Sequence, residues 1–206
     1  MCAIIIYAAD IGSVKSNNFG WSRLVYGSDD FHSDISISNF VQYIIEDIEQ
    51  GSKVSIGFEC PLFLNLPDDP TYLTCARIGE GSRAWSAGAG SGALATGLTE
   101  VLWILDQIHK RVKTIINATF SLDEFNLENA NLLIWEAFVT STSKGGSHCK
   151  DAEIAVKTFS ERYMTGNLKS DVSVENPYSL VGGAFLKSGI SKDIGVLNEQ
   201  CIVVKA

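Results

Sequence analysis

The sequence is short of the features that mark several protein classes. Its five cysteines, Cys2, Cys60, Cys75, Cys149 and Cys201, are scattered, odd in number and never form a Cys-x-x-Cys pair. That excludes a disulfide framework or a zinc knuckle as the plan of the fold, and it predicts reduced, mostly buried thiols. Proline is scarce, with 4 in 206 residues, and no Pro-, Ser- or charge-rich spacer divides the chain. A single domain over residues 1–206 is expected. No apolar run approaches the ~20 residues of a membrane span. The apolar start Cys2–Ala9 lacks a basic leader and runs straight into Asp10, so it reads as core and not as a targeting signal. The expected setting is the cytoplasm, with no membrane partner. Positive charge is also short: 16 Lys and Arg stand against 24 Asp and Glu, a net charge of −8. Broad attraction to nucleic acid feeds on phosphate neutralisation by Lys and Arg, so any such contact must be local and selective.

What the chain does have is apolar material, 46% of its residues, arranged in short runs. Cys2–Ala9 (CAIIIYAA) reads as a buried central strand that ends at Asp10. Phe19–Tyr26 reads as a second strand hairpinned onto it. Ser38 is the expected helix cap before Phe40, Val41, Ile44, Ile45 and Ile48, with Gly51 as the stop. Lys53–Glu59 and Asn131–Val139 read as further buried strands, the first closed by Cys60-Pro61. A long helix emerges by about Leu94, with Leu98, Val101, Leu102, Leu105 and Ile108 on one face. Another carries Ala152, Ala155, Val156, Phe159 and Tyr163 on one side. A helix near Tyr178–Leu186 and a last strand, Cys201–Val204, complete the chain. An early hairpin followed by strand–helix alternation predicts an α/β fold: a mixed sheet with helices on its faces.

Acids sit where the apolar strands run out. Asp10 and Glu59 end two of them, Glu136 lies within a third, and Asp151 opens a helix. Strand ends on one edge of an α/β sheet lie close together, and that edge is where such folds bind ligands. Gathered carboxylates repel one another unless protons or cations intervene. Oxygen-only donors favour Mg²⁺ or Mn²⁺ over zinc. Taken singly, each acid has a plain reading: a turn residue, a solvent-facing side chain, or a complement to a helix dipole. Glu136 is the hardest to dismiss, because an unpaired charge in an apolar strand is costly.

Asp10 on the first strand, Glu59 on the strand after the first helix, and His148-Cys149-Lys150-Asp151-Ala152 opening a later helix resemble the ribonuclease H-like superfamily. The H-x-x-D-A segment is most similar to the Holliday-junction resolvase type. Gly57-Phe58-Glu59-Cys60-Pro61-Leu62 and Glu136-Ala137-Phe138 further resemble a group of predicted nucleases of that fold. The resemblance spans about residues 1–165. It implies a five-stranded mixed sheet flanked by helices, with a C-terminal extension. It also implies that Asp10, Glu59 and Asp151 ligate metal, that Glu136 is a further ligand, and that His148 assists near the scissile phosphate.

The stretch Arg77–Gly92 (RIGEGSRAWSAGAGSG) is the oddest in the chain. It is neither G-x-x-x-x-G-K-[ST] nor a G-x-G-x-x-G after a strand. Two readings stand. Its small residues permit tight helix packing, or its glycines bring backbone close to a ligand, with Arg77 and Arg83 on phosphate and Trp85 against a base. His32 and His109 read as ordinary, and His109 among Lys110 and Arg111 suits a helix C-terminus. The function expected is a Mg²⁺- or Mn²⁺-dependent hydrolase of a phosphodiester in nucleic acid or a nucleotide. The alternatives are a non-catalytic binding module of the same fold, or a nucleotide-binding protein that uses the Gly-rich segment.

Overall fold

A computed structural model describes residues 2–81, 84–127, 130–139 and 143–206. The sheet opens with a hairpin, β1 (Ile4–Asp10) antiparallel to β2 (Gly20–Val25), and β2 pairs onward with β3 (Phe31–Asp34). Helix α1 (Ile37–Glu49) carries the chain to β4 (Lys53–Phe58), which lies parallel to β1. After β5 (Phe63–Asn65) come the long helix α2 (Gly88–Arg111), β6 (Ala118–Thr119), α3 (Leu122–Asn126) and β7 (Leu132–Phe138). Helix α4 (His148–Met164), β8 (Pro177–Ser179), α5 (Leu180–Ser188) and β9 (Val203–Lys205) finish the chain.

The strand order is β3-β2-β1-β4-β7-β6, with β9 beside the C-terminal half of β7. That makes seven strands in the sheet among the described residues, where five were expected. Strands β6 and β9 share the outer edge of β7, β6 at Leu132–Leu133 and β9 at Glu136–Phe138. The two-stranded β5–β8 ladder stands apart and ties the segment after β4 to α5.

Side chains of a strand alternate between faces, and both faces here are covered. In β1, Ile5, Tyr7 and Ala9 enter the core shared with α1, α2 and α5. Ile6 and Ala8 enter the core under α4. In β7, Leu132 and Ile134 take the first side, and Leu133 and Trp135 take the second. This double burial is why the central strands are mostly apolar on both faces, and why they were legible as strands.

Local chemistry sets several boundaries. Helix α1 starts two residues earlier than expected: Ser36, not Ser38, is the cap, its hydroxyl accepting from the Asn39 amide. The buried face of α2 is Gly97, Val101, Ile104, Leu105 and Ile108, whereas Leu98 is exposed. Gly97 turns that face: a Cβ there would sit 2.5 Å from the Cys60 sulfur. The stretch expected as one helix from Tyr178 is a strand, β8, followed by α5, with Ser179 capping Gly182. Among the described residues, no helix is long and apolar enough to cross a membrane.

Candidate functional site

Strands β1, β4 and β7 run parallel, so their carboxyl ends meet at one edge of the sheet. Asp10 is the last residue of β1, and Glu59 follows β4, its amide bonded to the Ala9 carbonyl across the ladder. Helix α4 brings a third acid. Its first turn is fixed by Ser147, whose hydroxyl accepts from the Lys150 amide, and Asp151 sits in that turn, buried. One oxygen from each of Asp10, Glu59 and Asp151 lies within 4.8 Å of the others.

A glycine lets α4 come this close. Gly20 is the register partner of Asp10 across the hairpin. A Cβ at Gly20 would lie 2.6 Å from the His148 Cβ and carbonyl carbon and from the Cys149 amide nitrogen. With only hydrogen there, the start of α4 rests on the start of β2, and His148 reaches Asp10. Its Nδ1 hydrogen-bonds Asp10 Oδ2, which orients the imidazole ring. The Gly145 amide donates to Asp151 Oδ1 at 2.5 Å.

The electrostatics follow from this packing. Burial raises the Asp10 carboxyl above its usual range, the bonded His148 opposes that, and Asp151 adds to it. Glu59 is pushed up to about 8, first by burial and then by the neighbouring Asp10; Lys144 and a backbone hydrogen bond from Val139 pull the other way. Glu59 Oε2 is buried with no hydrogen-bond partner among the described residues. The nearest ammonium is Lys144, half exposed, at 3.7 Å from Asp151 and 4.0 Å from Glu59. Sequence reading missed Lys144, because a lone lysine in a polar loop carries no signal of its own.

Glu136 was expected as a further ligand, and the structure places it elsewhere. Both of its oxygens take N–H groups of Arg77, at 2.6 and 2.9 Å, and one also accepts from the Leu62 amide at 2.9 Å. The Arg77 guanidinium in turn reaches Glu80 at 3.2 Å and the Phe63 carbonyl at 3.1 Å, and the whole group is buried. Arg77 was expected on substrate phosphate. It is instead the internal counter-ion of two glutamates, and it pins the Gly-rich segment to β7. Arg83, the other arginine expected on phosphate, lies outside the described residues.

Asp10 and Glu59 face a cleft of about 310 Å³. Asp10, Glu59, Lys144 and His148 line one part, and Trp85, Ala89, Ala93 and Phe138 line another. No protein-family model matches the chain, and no curated protein and no solved structure matches it.

Proposed function

We propose that this protein is a divalent-metal-dependent phosphodiesterase of ribonuclease H-like fold, acting on nucleic acid or a nucleotide. The observation that carries the reading is the convergence of Asp10, Glu59 and Asp151 from three separate elements onto one point of the sheet edge. The mixed sheet with its opening hairpin supports the fold assignment. The donor set fits the ion: all three donors are carboxylate oxygens, which suits Mg²⁺ or Mn²⁺. The buried, unpartnered Glu59 oxygen is the kind of group that a cation satisfies.

Asp10, Glu59 and Asp151 would hold the metal. When bound, such ions generate a nucleophilic water at neutral pH and offset charge on the phosphoryl oxygens. The remaining steps belong to the chain's own groups. Asp10 accepts from His148 Nδ1 and so holds the ring with Nε2 as its remaining nitrogen. From there His148, 41% exposed at the cleft, can hold or release a proton at the leaving oxygen. Lys144 places an ammonium beside the acids, where it offsets part of their charge and can meet a phosphate oxygen.

One observation favours a non-catalytic binding module of the same fold: the cleft lining has four carboxylates, Asp10, Glu59, Glu80 and Glu136, against two cations, Arg77 and Lys144. The two readings separate in one experiment. Purified protein is titrated with Mn²⁺ by calorimetry and assayed on single strands, duplexes, branched junctions and nucleotides with Mn²⁺ or Mg²⁺. Metal binding with chelator-sensitive cleavage is the expected result. Metal binding with every substrate uncut selects the module, and no metal binding removes the proposal.

A further inference from the structure

We infer that the cleft beside the triad is a pocket for one unpaired nucleotide, so that the substrate is single-stranded. This rests on the phosphodiesterase reading and adds the substrate class to it. The first argument is size. A volume of about 310 Å³ lies at the small end of ligand pockets. It suits one base with its sugar and has no room for a base pair.

The second argument is charge. Among the described residues, the carboxylates of the lining outnumber its cations, and Arg77 is already bound by Glu136 and Glu80. The chain as a whole is at −8. Among the described residues of the lining, a duplex backbone finds no row of cations to displace its counter-ions, and such contacts supply a large share of duplex binding. Affinity has to come from elsewhere, and the cleft lining also offers apolar side chains: Ile11, Trp85, Ala89, Ala93 and Phe138.

The third argument is how Trp85 is held. Ser86 donates to the Thr74 carbonyl at 2.6 Å, and the Ala87 amide bonds the Ala84 carbonyl at 3.1 Å. A Cβ on Gly90 would lie 3.0–3.1 Å from the Ala84 and Trp85 backbone, so the first turn of α2 packs directly on this segment. Trp85 is half-buried and lines the cleft. An indole in the wall of an apolar cleft is a stacking surface that accepts any base.

The test is binding of a tetranucleotide, deoxy and ribo forms in parallel, measured by calorimetry with Mn²⁺ and again with chelator. The comparison ligands are a duplex of the same sequence and the same strand with abasic sites throughout. Expected: the single strand binds in at least one of its two forms, and the duplex and abasic strand bind at least about tenfold more weakly, as stacking of one base predicts. Trp85→Ala weakens single-strand binding by about tenfold or more. Ala89→Leu, at an exposed position of α2, blocks the cleft and removes binding. Both variants keep the Mn²⁺ affinity of the parent. Equal binding of duplex or abasic strand, no effect of either variant, or no strand binding in any condition overturns the pocket. If Mn²⁺ binds and a duplex is cut while the variants change nothing, the pocket fails and the phosphodiesterase stands. If the strand binds as expected but Mn²⁺ does not, the reverse holds.

Discussion

Two groups of acids meet at the same cleft, Asp151 reaching it only through Asp10 and Glu59, and they are solved in opposite ways. Glu136 and Glu80 meet a guanidinium inside the protein, and the planar fork of Arg77 covers both oxygens of Glu136. Asp10, Glu59 and Asp151 meet each other. Their polar neighbours are a half-exposed lysine at 3.7–4.0 Å and the His148 imidazole. The first group is closed: its charge is balanced by groups that cannot leave. The second stores repulsion and desolvation that an added cation can relieve. A buried carboxylate therefore says little by itself, and what matters is whether its partner is covalently part of the chain.

The comparison predicts opposite responses when a charge is removed. Asp10→Asn should lower metal-dependent cleavage by about three decades or more, since the ions supply several kcal/mol of transition-state stabilisation. In the metal-free protein its melting temperature should not fall, because a repelled and desolvated charge is lost; a thermal melt beside the activity assay reads both. Arg77→Met should do the converse and unfold the protein by about 3–5 kcal/mol, because it leaves buried glutamates unpaired. Denaturant titration measures it, and Glu136→Gln in that background should recover part of the loss.

Smaller effects sharpen the contrast. Folded Glu59 holds its proton up to about pH 8, against 4.5 for an ordinary glutamate. Between those values the folded state binds more protons than the unfolded chain, so metal-free stability should fall by a few kcal/mol as pH rises through this window, then level off. Glu59→Gln should flatten the curve, and saturating Mn²⁺ should reverse its slope. Gly20→Ala should cost about 1–3 kcal/mol by overpacking against α4. It should also weaken Mn²⁺ binding, because the displaced turn carries Asp151. Lys144→Ala should change stability by less than about 1 kcal/mol, as half-exposed ion pairs do. A large loss there would make Lys144 a structural counter-ion like Arg77 and erase the distinction.

The central strands were legible because they are buried on both faces. Cys2–Ala9, Lys53–Glu59 and Asn131–Val139 were read within two residues of the observed β1, β4 and β7. Two of the short strands were not, for a physical reason. Strands β5 and β8 have three residues each and exist only because segments more than a hundred residues apart pair with each other, whereas β9, equally short, was read as Cys201–Val204. The face of α2 was misjudged at Leu98, since apolar spacing cannot foresee that Gly97 would be chosen to pass Cys60.

The acids show where the local code stops. Their places at strand ends and in a first helical turn follow from the sequence, because alternation, burial and capping act over a few neighbouring residues. Which acids would meet was decided by tertiary structure. Glu136 and Arg77 are 59 positions apart and close on one another only when the segment after β4 folds back over β7. Asp151 joins Asp10 only because a bare glycine on β2 admits the start of α4. A carboxylate's chemistry is set by the charge beside it, and that neighbour arrives from distant chain, beyond the reach of any local pattern.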